Sequence, residues 1–195
     1  MGFRFTPTEI AEVVLIEVDT YPDDRGFFRE TYKESAYAES GFPWTFVQAN
    51  FSKSRKDVIR GLHFQYEPAG IGKLISVTRG RIMDVAADIR PDSPTYKRWV
   101  GAELSGESGS MLYVPPGFAH GFCALEDDCF VNYMMTGEYS PAHDAGVRWN
   151  DPEIGVEWPI DDPILSLKDA NQVFLNEIED RLRTGTDERA EEAKL

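Results

Sequence analysis

The sequence predicts an all-β domain of the sandwich or jelly-roll kind. Three observations carry this. Short runs rich in β-branched and aromatic residues follow one another through the first 165 residues, a turn signal closes nearly every run, and helical patterning is confined to two stretches.

In chain order the strand-like runs are VVLIEV (13–18), FFRETY (27–32), WTFVQANF (44–51), VIRGLHF (58–64), KLISVT (73–78), RIMDVAADI (81–89), YKRWVGAEL (96–104), SMLYVP (110–115) and CFVNYMMT (129–136). The separators PDDRG, ESGFP, EPAGIG, TRG, RPDSP, SGESG, PPG and EDD combine glycine, proline and short polar residues that favour turns. TRGRIMDVAADI reads as a tight hairpin at Arg79-Gly80 feeding a central strand. Its period of two puts Asp84 and Asp88 on one face and Val85, Ala87 and Ile89 on the other. KESAYAES (33–40) reads as one short helix. From Asp169 onward the chain turns helical and charged. Residues 176–195 carry seven acids and four bases, which reads as a solvated helix or frayed end. The expected organisation is therefore one domain over 1–175 and a charged tail over 176–195.

A chain of 195 residues with 42% hydrophobic and 12% aromatic residues can build a sizeable core. Its net formal charge of −14 argues against nucleic acid or an anionic membrane surface as partner, though not against a small anion held by a local cation cluster. No run approaches the ~18 apolar residues of a membrane helix. No basic stretch followed by an apolar run stands at the N-terminus. Met1-Gly2 with Thr6 matches the myristoylation pattern only loosely. Cys123 and Cys129 are too few for a disulfide framework and read as free thiols of a reducing compartment, so the expected location is the cytoplasm.

His63, His120 and His143 are the only histidines. A metal-binding cupin usually presents HxH on one strand, where alternate residues share a face, and adds a later histidine after PxG. Here PPGFAH keeps the later histidine, His120, but HFQ puts Gln65 where the second ligand belongs. Glutamine is a poor transition-metal ligand. A base is the other reading of His63. Arg60 stands beside it and Lys73 opens the next strand, while Arg25, Arg29, Glu30, Gln48, Asn50, His120, Tyr133, Lys168 and Asp169 lie in or beside other strands. Such groups are costly on barrel strands unless they line a wet cavity. Cations, a histidine and a tyrosine in one cavity suit an anionic substrate and proton transfer.

RGLHFQ, the following lysine, DVAADIRPDSPTY, VPPGFAHGF, the tyrosine of VNY, DAGVRWNDPEIGVEWP and LSLKD, in that order, resemble the dTDP-4-dehydrorhamnose 3,5-epimerase family over residues 3–172. The resemblance implies a cupin-type jelly roll, a homodimer, a dTDP-sugar substrate, and a reaction without metal or other cofactor. It implies that His63 is the general base, that Asp169 bonds its imidazole and fixes the tautomer, that Lys73 stabilises an enolate at the C4 oxygen, and that Tyr133 returns a proton from the opposite face. Arg25 and Glu30 match nucleotide-gripping positions. Gln48, Asn50, Arg60, His120, Asp144 and Lys168 match other substrate-binding positions. Ala49 stands where the family usually has aspartate, and Asp144 where glutamate is common.

Other roles stay open from sequence. His120 could cap a turn, and Asp169 could cap the C-terminal helix. Tyr139 competes with Tyr133, although it precedes the Ser140-Pro141 turn signal. His143 reads as a surface loop residue. Phe27, Phe28, Trp44, Phe46, Trp99, Trp149 and Trp158 read mainly as core or dimer packing, with one or two available to stack on a base. Alternatives to the 3,5-epimerase are an epimerase of C3 alone, a metal-dependent cupin oxygenase, and a sugar-nucleotide binder without catalysis.

Overall fold

The computed structural model describes residues 2–42 and 45–184. Trp44 and the end of the charged tail, 185–195, lie outside the described residues. The strands are β1 (Phe3–Pro7), β2 (Val14–Val18), β3 (Tyr21–Asp23), β4 (Gly26–Phe28), β5 (Gln48–Ser54), β6 (Ile59–Gln65), β7 (Lys73–Arg79), β8 (Arg81–Asp88), β9 (Trp99–Ser105), β10 (Met111–Val114), β11 (Phe118–Ala124), β12 (Cys129–Met135) and β13 (Asp144–Gly146). Short helices α1 (Glu34–Glu39), α2 (Leu167–Ala170) and α3 (Glu179–Thr184) and a 3₁₀ turn (Leu175–Glu177) complete the described elements.

A six-stranded sheet in the order β1-β2-β10-β7-β12-β5 faces a five-stranded sheet in the order β13-β6-β11-β8-β9, and β3-β4 form a separate hairpin. All strand pairs are antiparallel. This is the expected jelly roll. Alternation along each strand builds its interior. Ile75, Val77, Leu112, Val114 and Val131 of the larger sheet meet Ile82, Ala86, Leu104, Phe118 and Phe122 of the smaller one in a dry core.

The opposite faces are covered too. Tyr37 of α1, with Phe42 and Phe46, packs on Leu74, Met111 and Tyr113. Val156, Trp158, Ile178 and Leu182 cover Leu62, Val85, Ala87 and Leu175. Within 176–184, Ile178 and Leu182 form an apolar face that packs on the smaller sheet, while Asn176, Glu177, Asp180, Arg183 and Thr184 stay exposed, as the solvated-helix reading expects. Among the described residues no helix is long and apolar enough to cross a membrane.

Several local expectations change. β7 and β8 do not pair as a hairpin, because they belong to different sheets and the chain crosses between them at Gly80. Gly80 has φ +79°, and a Cβ there would meet Cys129 Sγ at 2.8 Å, so this corner requires glycine. The strand expected over 27–32 ends at Phe28, and β5 starts only at Gln48. In PPGFAHGF the turn signal PPG ends at Gly117, and the strand that follows it is missing from the sequence-read runs. Phe118–Ala124 is a strand buried along its whole length, at the centre of the smaller sheet. The glycines and prolines in the motif mask it. β1 and β13 are also absent from the sequence reading.

Candidate active site

At one end of the sandwich the inward positions turn polar and enclose a cavity of about 410 Å³. Asn50 and Ser52 of β5, Arg60, His63 and Gln65 of β6, Lys73 of β7, His120 of β11 and Tyr133 of β12 line it, with Tyr139, Asp144, Lys168 and Asp169 at its rim and sides.

β6 supplies both Arg60 and His63 to this wall, although residues three apart on a regular strand point to opposite faces. The register against β11 explains this. His63 pairs with His120 and Arg60 with Phe122, with an irregularity between them. Gly61 sits at that irregularity with φ +137°. A Cβ there would lie 2.5 Å from Gly121 Cα. The RG of RGLHFQ is therefore the device that turns two successive functional side chains inward.

His63 Nε2 lies 2.5 Å from Asp169 Oδ1, and Asp169 is buried. Ser166 donates from Oγ to Asp169 Oδ2 at 2.8 Å and accepts from the Asp169 backbone N–H at 3.0 Å, capping α2. The cap of this helix is Ser166, which leaves Asp169 to hold the histidine. Burial pushes the Asp169 carboxyl up, but the bond from His63, its charge, Ser166 and Lys168 outweigh this and hold it below the ordinary carboxylate value. With Asp169 accepting at Nε2, the neutral imidazole keeps its free lone pair at Nδ1.

Tyr133 stands on the opposite sheet, its hydroxyl 2.9 Å from Ser52 Oγ. Burial pushes this phenol far up. The Ser52 bond opposes that, Asp84 adds to it, and Arg60 opposes it. A proton on this oxygen is therefore firmly held, as a proton donor at neutral pH requires. Tyr139 lies at the mouth, half exposed, and donates to Asp144 Oδ2 at 3.0 Å, which leaves Tyr133 as the interior phenol.

Lys73 Nζ donates to the His63 carbonyl at 3.1 Å. Burial lowers its pKa to about 8, against the pull of Asp84 and Asp144 and with the push of Lys168. His120 is buried and donates from Nε2 to Asp84 Oδ1 at 2.8 Å. It lines the site rather than capping the turn before β11.

Arg60 donates to Ser54 Oγ at 3.0 Å and to the Lys53 carbonyl at 3.1 Å. Gln48 donates to Asn50 Oδ1 at 3.0 Å and accepts from the Tyr139 N–H at 2.8 Å, so it braces the rim without lining the cavity. Lys168 contacts Asp144 directly. Arg25 and Glu30 are not brought to this cavity within one chain. Arg25 lies in the β3-β4 turn, where its backbone N–H donates to Asp23 Oδ1 at 2.8 Å and its guanidinium pairs with Asp23 Oδ2 at 2.6 Å. His143 bonds Ser140 in its loop, as expected.

Ser52, Gln65 and Ser166 line the cavity and Asp84 stands behind it, bonded to His120; the sequence reading assigned none of the four to the site. Strand parity put Asp84 and Asp88 on one face of β8, and the structure shows that this face, shared with Ile82 and Ala86, is the interior one. Ser52 needed the β5-β12 register, which places it opposite Val131, next to Tyr133.

The family model described as dTDP-4-dehydrorhamnose 3,5-epimerase matches residues 7–177. A dTDP-4-dehydrorhamnose 3,5-epimerase from Methanothermobacter thermautotrophicus is 48% identical over 90% of this chain and 96% of its own. A dTDP-4-dehydrorhamnose 3-epimerase from Streptomyces niveus is 38% identical over 91% of this chain and 86% of its own. Among solved structures, the dTDP-6-deoxy-D-glucose-3,5-epimerase of Legionella pneumophila, in complex with dTDP-4-keto-L-rhamnose, superposes with a TM-score of 0.89 at 42% identity, covering 93% of this chain and 97% of that one. With the fold, the motif order and the matched length in agreement, the chain belongs to the dTDP-4-dehydrorhamnose 3,5-epimerase family.

Proposed function

We propose that this protein is an isomerase that inverts C3 and C5 of dTDP-4-keto-6-deoxy-D-glucose to give dTDP-4-dehydro-L-rhamnose. The observation that carries the reading is the pair of opposed proton-transfer groups. His63, anchored by Asp169, stands on one sheet, and Tyr133, bonded to Ser52, stands on the sheet facing it.

A proton on C3 or C5 lies next to the C4 ketone. His63 takes it, the C–H electron pair moves into the ring bond, and the carbonyl π pair moves onto the C4 oxygen. Lys73 stabilises that oxyanion as an ammonium. Tyr133 then gives its proton to the other face of the same carbon, and the carbonyl re-forms. Solvent returns a proton to Tyr133 and removes one from His63. One base alone would restore the original configuration, so inversion needs both walls. The scheme calls on no cofactor.

Asn50, Arg60, His120 and Lys168 are assigned to the substrate, with Gln48 and Asp144 shaping the rim. Guanidinium forks suit a diphosphate, which reconciles a local cation set with an acidic chain. We infer that Arg25 and Glu30 act in a homodimer, from the hairpin of one copy on the cavity of another. Support comes from the separate β3-β4 hairpin, which leaves Phe27 and Phe28 59% and 60% exposed. Sedimentation should give a dimer, and mixing Arg25→Ala with His63→Ala protein should restore activity. A monomer, or no restoration, would remove this part. We place the enzyme in the cytoplasm, with its two buried free thiols as support.

The test is incubation with dTDP-4-keto-6-deoxy-D-glucose in deuterated water, followed by NMR at C3 and C5. Deuterium and inversion at both carbons is the expected result. Label at C3 alone would replace the reading with the C3 epimerase, the activity that the name of the Streptomyces niveus relative gives. No label at either carbon would overturn it.

A further inference from the structure

Inverting two carbons with one phenol creates a supply problem. In the reaction proposed above, Tyr133 gives its proton at the first carbon and must be protonated again before the second. The sugar ring then stands between His63 and Tyr133, in the space through which water would reach the phenolate. One side-chain hydroxyl already touches that oxygen: Ser52 Oγ lies 2.9 Å from the Tyr133 hydroxyl, and either atom can donate.

β5 is the edge strand of the six-stranded sheet, and β12 lies one strand further in. Asn50 pairs with Tyr133 and Ser52 with Val131, so Ser52 and Tyr133 are diagonal neighbours on one face. Ser52 lines the cavity and is partly exposed, between the exposed Phe51 and Lys53. The way from the sheet edge to Tyr133 passes this hydroxyl.

We propose that Ser52 is the proton relay of Tyr133, the group that reloads the phenol from solvent while the sugar stays bound. The proposal deepens the reading of Tyr133 as proton donor and rests on it.

The neighbouring polar groups are committed elsewhere. Ser54, the next inward hydroxyl of β5, accepts from Arg60 Nε at 3.0 Å. Asn50 donates to Met135 Sδ and accepts from Gln48, and an amide keeps its donor and acceptor on different atoms. His120 packs edge-on against the Tyr133 ring, 6.2 Å between centroids, but spends its Nε2 on Asp84. Among the described residues no other side chain bonds the Ser52 hydroxyl. A hydroxyl carries a donor and two acceptor sites on one atom, so it can pass on one proton while it takes another.

In the relay step the Tyr133 phenolate takes the Ser52 proton and the Ser52 oxygen takes one from water. The hydroxide left behind combines with the proton that His63 releases to solvent. Both side chains end unchanged. The nearby Arg60 charge favours the phenolate while it lasts.

The test is rapid-quench kinetics with dTDP-4-keto-6-deoxy-D-glucose in excess over Ser52→Val and Ser52→Thr. The two variants have the same shape, and only threonine keeps the hydroxyl. β-Branched residues suit a strand, and Ser52→Ala stands in if the valine variant does not fold. Tyr133 starts protonated, so the valine variant should complete one inversion per site at the wild-type rate. Every later inversion should slow by ~10²-fold, and the singly inverted sugar should accumulate. Ser52→Thr should show no such burst and turn over as wild type does. A first inversion slowed as much as the later ones would mean that Ser52 only orients Tyr133, and would overturn the relay. Wild-type kinetics in Ser52→Val would overturn it too. Wild-type protein that inverts neither carbon would overturn the reaction instead. If wild type inverts C3 alone, the burst still reads the relay, because Tyr133 must reload between turnovers.

Discussion

The His63 imidazole and the Asp169 carboxylate meet at 2.5 Å, across 106 positions of sequence. α2 holds Asp169 in place for that meeting: its Ser166 cap bonds both the backbone N–H and the Oδ2 oxygen of Asp169. Asp169→Asn keeps the shape but puts an amide where the acceptor was, so the imidazole loses its tautomer control and the partner of its charged form. Exchange at C3 is expected to slow by ~10²–10⁴-fold. Affinity for dTDP, read by calorimetry, should hold within a few-fold. A loss of less than threefold in exchange would remove Asp169 from the mechanism.

Tyr133→Phe separates proton removal from inversion. His63 and Lys73 remain, so a proton can leave C3, exchange on His63 with solvent and return to the face it left. Deuterium should therefore enter the substrate without change of configuration, while epimer formation falls by at least ~10²-fold. NMR of the recovered sugar reads both quantities at once. Epimer formation at the wild-type rate would assign the second proton to another group, and Tyr139 at the mouth would be examined next.

The strand pattern, the two faces of β8 and most of the residues that line the cavity were legible in the sequence because period-two alternation and motif order are local signals. What was not legible depends on partners far along the chain. The crossing at Gly80 read as a hairpin because a glycine turn looks the same whether its strands pair or part. β11 was hidden by Gly117 and Gly121, which serve a turn and a close backbone approach respectively. Gln48 was grouped with the cavity, yet its amide is committed to Asn50 and Tyr139, a choice set by register. Arg25 and Glu30 were grouped with the substrate-binding positions by resemblance, yet within one chain neither lines the cavity, because the β3-β4 hairpin stands apart from both sheets.

Gly61→Ala tests the device that puts Arg60 and His63 on one wall. The added methyl would meet Gly121 Cα at 2.5 Å and the His120 carbonyl at 2.9 Å, at a φ that side chains rarely adopt. Backbone, not a flexible side chain, would have to yield. A loss of ~2–4 kcal/mol is expected, read as a lower urea midpoint with an unchanged slope. Exchange activity should fall even below the denaturation range, because the register between Arg60 and His63 is disturbed. Wild-type stability with wild-type exchange would show that β6 tolerates a side chain there.

Asp88 offers a pH test of the fold away from the chemistry. It has no exposed surface. It accepts from Arg90 Nε at 2.9 Å and Nη2 at 2.7 Å, from Ser93 Oγ at 2.5 Å and from Thr95 Oγ1 at 2.6 Å. Burial pushes its carboxyl up, but these donors outweigh it and hold the folded-state value below the ordinary 3.8. A depressed carboxylate contributes stability that is fully present above its unfolded value and is lost as pH falls through the folded one. Asp88→Asn should therefore cost about 2 kcal/mol or more at pH 7, since it weakens charge-assisted bonds that also pin the β8-β9 connection. The gap to wild type should stay constant down to about pH 5 and narrow below about pH 4. Urea unfolding of both proteins across that range measures it. A gap that is the same at pH 3 as at pH 7 would mean that the Asp88 cluster acts through packing and not through its charge.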